Sequence, residues 1–274
     1  MTQALEAPPA AESLYQPTQA GLIFPQAPKF ATLAEERLHR KIRLAAACRA
    51  FASWGFDYGF AGHLTVRDPE TPELYWTNPM CVHFRDVTLS SLILVDHSGM
   101  VRQGDYAVNR AGFVLHAAVH AANPQIVAMC HAHTTYGAAW CSLGRSLDPI
   151  TQDACAFFEN QIVVRESAGA VTVEARAGHS VAECVGDNRA ILHQNHGLMT
   201  TSRHSIDDAA WWFMALERCC QVQLQVESSG SRPVTIPSEA ARYSRTHVGS
   251  DYIGWLHFQP VYSHIAKTQP EIFN

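Results

Sequence analysis

The sequence predicts a single α/β domain, and three observations carry that reading. Strand-like and helix-like patterns alternate from residue 32 to about residue 250, the signature of packed mixed layers. No strong linker and no internal repeat divides that stretch. Finally, 47% of the 274 residues are hydrophobic and only 16% charged, enough apolar content for one substantial core.

Residues 1–30, with Pro, Ala and Gln throughout, read as a flexible N-terminal arm, and residues 31–250 as the domain proper. Thr32 followed by Glu35 is a capping-box start, and no Pro or Gly interrupts the chain before Trp54. The spacing predicts a helix of about six turns with Leu38, Ile42, Ala45 and Ala52 on one face, ended by Gly55. Short β-type runs follow at 64–67, 74–77 and 92–95, the last leading into a His97-Ser98-Gly99 turn. Residues 112–122 read as a helix stopped by Asn123-Pro124, 126–131 as an apolar strand, and 135–142 as a short helix. Further strands are expected at 161–165 and 190–192. Ser205 with Asp208 caps a long helix to about Glu227, and the SSGSRP stretch is a loop. Residues 251–274 form an aromatic tail expected to pack on its own or a neighbouring subunit.

A net charge of −5 offers no basic surface for nucleic acid or an anionic membrane. No apolar run approaches the roughly 20 residues of a membrane-spanning helix, and the N-terminus lacks the basic-then-apolar order of a secretory signal. The eight cysteines are scattered through apolar segments without a CxxC pair, which reads as buried free thiols. The expectation is a cytoplasmic protein that acts on a small molecule, with no nucleic-acid or membrane partner.

The chemistry is carried by histidines. In Cys130-His131-Ala132-His133, residues i and i+2 follow a buried strand and share one face about 7 Å apart. Two imidazoles so placed can converge on one ion; alone, they can equally be two polar residues at a strand end. Asn195-His196-Gly197-Leu198, after the strand-like 190–192, offers a third histidine where the chain turns. His116 and His120, i and i+4 on one helix, resemble a zinc-binding pair but lack the Glu of HExxH.

Gly62-His63-Leu64-Thr65-Val66-Arg67-Asp68-Pro69, Asn78-Pro79, Val82-His83-Phe84, His131-Ala132-His133 and Asn195-His196-Gly197-Leu198 together resemble, in order and spacing, the class II aldolase/adducin family over roughly residues 32–230. The resemblance implies a three-layer α/β/α domain around a central, largely antiparallel sheet. It also implies a homotetrameric ring with the site near a subunit boundary. Carried over residue by residue, it makes His131, His133 and His196 the ligands of one divalent metal ion per subunit.

The sequence departs from the family's sugar-phosphate lyases at one telling position. Their catalytic carboxylate falls four residues before the histidine matched by His116, which here is Gly112. Glycine cannot move a proton, and Trp76-Thr77-Asn78-Pro79-Met80 stands where their Gly/Ser-rich phosphate turn is expected. Three readings follow. The chain resembles the family's non-haem iron oxygenases of the novobiocin and clorobiocin antibiotic pathways. That likeness implies oxidative decarboxylation of an aromatic α-keto or α-hydroxy acid, of the 3-prenyl-4-hydroxyphenylpyruvate to 3-prenyl-4-hydroxybenzoate type, with Fe(II) favoured, Zn(II) second and dioxygen as co-substrate. The alternatives are a divalent-metal-dependent lyase and a non-catalytic, adducin-like interaction module. For the oxygenase reading His116 is the candidate catalytic residue, as labile ligand or proton carrier. His63, Asn78, His83, Tyr136 and Trp255 are candidates for contact with substrate, and Asp153 and Asn195 for holding the ligand imidazoles in place.

Overall fold

The computed structural model describes residues 15–165 and 181–274; the first fourteen residues of the expected arm lie outside them. Among the described residues, eight strands form one sheet in the order β4-β3-β2-β1-β5-β8-β7-β6. They are β1 (Gly62–Arg67), β2 (Leu74–Thr77), β3 (Ile93–Asp96), β4 (Val101–Gln103), β5 (Ala128–Ala132), β6 (Gln161–Val164), β7 (Ala190–His193) and β8 (Gly197–Ser202). Every pairing is antiparallel except β6 with β7. The helices are α1 (Leu33–Ser53), α2 (Arg110–Ala122), α3 (Thr135–Cys141), α4 (Gln152–Cys155), α5 (Ile206–Ser228), α6 (Ser238–Val248) and α7 (Asp251–Thr268). Among the described residues no helix is long and apolar enough to cross a membrane.

The sheet divides the molecule because successive side chains of a strand face opposite sides. Leu64, Val66, Ala128, Cys130, Ala132 and Leu198 join the large core with α1 and α5. Met129, Ile191 and Met199 meet Leu115 and Val119 of α2 on the other face, and Tyr75, Ile93 and Val95 meet its Phe113. The expected three-layer α/β/α arrangement is thus present. Cys48, Cys130, Cys141, Cys155, Cys219 and Cys220 are buried free thiols, and Cys81 is an exposed one.

Thr32 caps α1 by accepting from the Glu35 amide at 3.2 Å, while the Glu35 carboxylate accepts from the Ala31 amide at 2.8 Å. The expected apolar face needs correction. Leu38 is 49% exposed, whereas the helix is buried continuously from Arg43 to Ala52, because α5 and α7 flank it there as well as β1. Arg43 is accommodated by a two-point ion pair with Asp207 of α5 at 2.7 and 2.5 Å.

Several elements escape the sequence pattern. β8 reads as polar, yet it lies between β5 and β7 and is buried throughout. Its hydroxyls reach partners inside the core: Thr200 donates to the Ala209 carbonyl at 2.8 Å, and Ser202 to Asp208 at 2.6 Å. The aromatic segment after Asp251 is a helix, although it contains Gly254 and Pro260. Gly254 lets α7 lie against α5: a Cβ there would come within 2.5 Å of Trp212 Nε1. α7 packs on α1 and α5 of its own chain.

Candidate metal centre

β1 and β5 pair with His63 directly opposite His131. Since Leu64 and Cys130 point into the large core, His63, Thr65, Met129 and His131 point toward α2. His131 Nδ1 lies 2.8 Å from the Leu198 carbonyl of β8. A carbonyl only accepts, so Nδ1 carries the proton and Nε2 presents a lone pair. His133 follows the last residue of β5, its amide donating to the Ala61 carbonyl at 3.3 Å. His196 sits in the three-residue loop between β7 and β8, whose register closes at His193 opposite Gly197. Asn195 makes that turn by adopting φ +59°, a left-handed conformation that Asn tolerates well.

The three imidazoles converge. Their ligand atoms all lie within 4.8 Å of one another, and His133 Nε2 and His196 Nε2 are 3.1 Å apart. Nitrogens sharing an ion at about 2.0–2.1 Å stand about 2.9 Å apart in a cis octahedral set and about 3.4 Å apart in a tetrahedral one. The ring planes cross at 72°, 87° and 75°, so each imidazole approaches from its own direction. Burial holds the proton affinity of all three below the ordinary histidine value, His196 at about 4, aided there by His193 and His133. At neutral pH they are uncharged donors, the form that binds a metal. No Asp or Glu belongs to this cluster among the described residues. The donor set fits a borderline divalent cation and leaves its charge uncompensated, with positions open to small ligands.

The other candidates are placed as follows. His116 is buried on α2 and lies outside the ligand cluster; its Nδ1 is 2.9 Å from Thr65 Oγ1, which is also 2.9 Å from His120 Nε2. His120 Nδ1 lies 3.3 Å from the Ile126 carbonyl. The Arg67 guanidinium nitrogen 3.4 Å from that Nδ1 donates instead to the His120 carbonyl at 2.8 Å. If Nδ1 of His120 donates, its Nε2 accepts the Thr65 hydroxyl, and Thr65 accepts from His116 Nδ1–H. The Nε2 of His116, which has no hydrogen-bond partner, is then left as a lone pair.

Asn78 uses its polar atoms on backbone: Oδ1 accepts from Leu64 N at 3.0 Å and Nδ2 donates to Gly62 O at 3.3 Å, one residue either side of His63. His83 caps a turn of 3₁₀ helix through Arg85 N and reaches Asp57 at 3.1 Å; it is not one of the three clustered histidines. Asn195 is exposed, and Asp153 lies exposed on α4, where its charge acts on Cys219 and His257. The group that orients His131 is the Leu198 carbonyl. Trp255 is buried and lines a separate cavity of about 470 Å³ with Phe30, His39, Arg43 and Ile206. Tyr136 packs against the large core at its partly buried rim.

Sequence reasoning missed Glu217 of α5. Its buried carboxylate accepts from Thr134 Oγ1 at 2.5 Å, Tyr136 N at 2.9 Å and Gly137 N at 2.6 Å, tying down the chain immediately after His133. Nothing local marks that glutamate, because its partners are 80 to 83 residues earlier in the chain. Gly112 has a second meaning in three dimensions: a Cβ there would lie 1.8 Å from His63 Cε1.

The family described as class II aldolase and adducin N-terminal domain matches residues 42–224. The decarboxylase NovR of Streptomyces niveus is 41% identical over 251 residues, which cover 91% of this chain and 92% of that protein. The 4-hydroxy-3-prenylphenylpyruvate oxygenase/4-hydroxy-3-prenylbenzoate synthase of Streptomyces roseochromogenus subsp. oscitans is also 41% identical, over 91% of this chain and 90% of its own. Among solved structures, L-fuculose 1-phosphate aldolase from Glaciozyma antarctica superposes with a TM-score of 0.83 at 39% identity, covering 91% of this chain and 97% of that one. The chain belongs to the class II aldolase and adducin N-terminal domain family.

Proposed function

We propose that the protein is a mononuclear non-haem Fe(II)-dependent oxygenase that oxidatively decarboxylates an aromatic α-keto or α-hydroxy acid. The reaction would be of the type named in the Streptomyces roseochromogenus relative, 4-hydroxy-3-prenylphenylpyruvate to 4-hydroxy-3-prenylbenzoate. A place in antibiotic biosynthesis belongs to the same proposal. One observation supports this reading above the rest: among the described residues three convergent neutral imidazoles stand without a carboxylate in their cluster, and His63 fills the space beside Gly112. Retro-aldol chemistry needs a group that shuttles a proton beside the substrate oxygens, and Gly112 cannot supply one.

His131, His133 and His196 would hold the ion. When bound, it would supply Lewis acidity and the redox chemistry that the oxidation requires. The chain's own residues then orient and enclose. The Leu198 carbonyl keeps His131 in the ligating tautomer, Glu217 anchors the segment that follows His133, and the unpartnered nitrogens of His116 and His63 would face the acid. The conversion balances with two molecules of dioxygen. An arylpyruvic acid and O₂ give the aryl hydroxy acid and CO₂; the hydroxy acid and a second O₂ give the aryl carboxylic acid, CO₂ and water. The assembly is proposed to be a homotetramer and its location the cytoplasm.

A second reading, a metal-dependent lyase, is favoured by the 39% identical solved structure that bears an aldolase name. One experiment separates the two. The metal-free protein is reconstituted with Fe(II) without air, then given O₂ and 4-hydroxyphenylpyruvate or its 3-prenyl derivative. Oxygen uptake matched by CO₂ release is expected. Cleavage of a sugar phosphate by the zinc form without O₂ would sink the oxygenase proposal.

A further inference from the structure

Gly112 and His63 compete for one volume. A Cβ on Gly112 would stand 1.8 Å from His63 Cε1, 2.0 Å from Nε2 and 2.5 Å from Nδ1. No side chain at position 112 can coexist with the imidazole where it lies. The backbone at Gly112 does not ask for glycine: it sits in helix α2 without a positive φ. Glycine inside a helix is unfavourable relative to alanine, so its presence here calls for a tertiary reason.

The imidazole itself is held with care. His63 lies opposite His131 in the β1–β5 pair, and Asn78 clamps the backbone on both sides of it. Its ring is parallel to that of His131 within 7° at a centroid distance of 5.9 Å, and 5.8 Å from that of His116. Both nitrogens of His63 and Nε2 of His116 are buried without a hydrogen-bond partner. A neutral imidazole carries one N–H and one lone pair, and leaving both unmet in a folded interior is unfavourable. An apolar side chain would fill this space without that penalty. Three unmet nitrogens on the flank of a metal cluster therefore point to a ligand that brings polar atoms with it.

We infer that Gly112 is a positioning residue that admits the His63 imidazole to the flank of the metal centre, where its nitrogens hydrogen-bond an oxygen of the bound acid. The working polar group beside the ligands thus comes from β1, and α2 withdraws its side chain to make room. An oxygen that can both donate and accept suits a neutral imidazole best, as in the hydroxyl of an α-hydroxy acid or of an enolised arylpyruvic acid. The identity of the acid rests on the function proposed above; the steric pairing of residues 63 and 112 does not.

The test is a double-mutant cycle on the full chain loaded with Zn(II), which is redox-inert, with 4-hydroxymandelate binding read by calorimetry and metal content measured per chain. His63→Ala should weaken binding at least tenfold with metal content unchanged, and His63→Gln should recover part of the loss. Gly112→Ala should match His63→Ala, and the double variant should be no weaker than either, since both changes remove the same imidazole from the same place. Melting temperature gives an independent reading. Gly112→Ala should lower it in the parent chain and raise it in the His63→Ala background, where alanine simply replaces a helical glycine. Full affinity in Gly112→Ala, losses that multiply in the double variant, or the same sign of the stability change in both backgrounds would each overturn the inference. If the zinc-loaded parent binds neither 4-hydroxymandelate nor 4-hydroxyphenylpyruvate, the proposed substrate class falls. The reversal of sign at position 112 then decides the pairing alone.

Discussion

Replacing Glu217 by alanine removes the acceptor for three donors at the start of α3: the Thr134 hydroxyl and the amides of Tyr136 and Gly137. Hydrogen bonds to a charged group contribute about 1.5–3 kcal/mol each, and three on one carboxylate are not additive. Part of the sum is offset, because burial raises the carboxyl pKa and so opposes the ionised form that these bonds favour. A net loss of about 4 kcal/mol is expected for Glu217→Ala, with Thr134 and Gly137 left as buried donors facing nothing. For a chain of this size that corresponds to a fall in melting temperature of roughly 8 °C or more. Glu217→Gln tests the chemistry more finely. Its amide nitrogen must face at least one of the three donors, so an isosteric change should still cost about 2 kcal/mol. The segment it anchors begins one residue after His133, so zinc affinity should fall about 10–100-fold in the alanine variant. Calorimetric melting and competition with a chromogenic chelator measure the two effects. A Glu217→Gln protein with parental melting temperature and metal affinity would refute the anchoring argument.

Three further outcomes are expected. His131→Ala should abolish stoichiometric metal binding while leaving a folded chain, and a strong chelator should lower the melting temperature of the parent but not of the variant. In metal-free protein, His63 and His196 titrate at about 4 and His120 at about 3 in the folded chain, against 6.5 for an ordinary histidine. The unfolded chain therefore binds protons first between about pH 6.5 and about pH 4, so stability should fall as the solution is acidified through that window. Asp208, pushed up to about 7 by burial and by Asp251, acts in the opposite sense, as do His204, raised by its hydrogen bond to Asp251, and Glu217, raised by burial. They are outnumbered, because burial also lowers His39, His116, His131, His133 and His257. A melting temperature that stays flat or rises from about pH 7.5 to about pH 5 would contradict this sum. Arg43→Ala breaks a buried ion pair that joins α1 to Asp207 of α5 and to Gln259 of α7. It strands a carboxylate with 1% side-chain exposure and should cost about 3–5 kcal/mol, read by urea denaturation.

Much of the architecture was legible because its signals are local. A Thr32/Glu35 cap and an uninterrupted run mark α1, and Ser205 with Asp208 marks α5. His131-Ala132-His133 and His196-Gly197 declare themselves as strand-end histidines, because period-two geometry follows from the backbone alone. Other features depend on groups distant in the chain. β8 is buried despite its threonines and serine because α5 receives the hydroxyls of Thr200 and Ser202, and the Asn188 carbonyl that of Thr201. α7 is a helix despite Gly254 and Pro260 because that glycine fits against Trp212. Leu38 faces solvent because the layers that enclose α1 begin only further along it. By itself the sequence determined the alternation of elements and, through its resemblance to known relatives, the three convergent histidines. Tertiary structure alone decided what stands beside them. Residue 112 reads in sequence as a missing carboxylate, but in space it is the clearance for an imidazole arriving from β1. Such a contact is invisible in any local pattern, because it joins residues 63 and 112 through volume rather than through spacing along the chain.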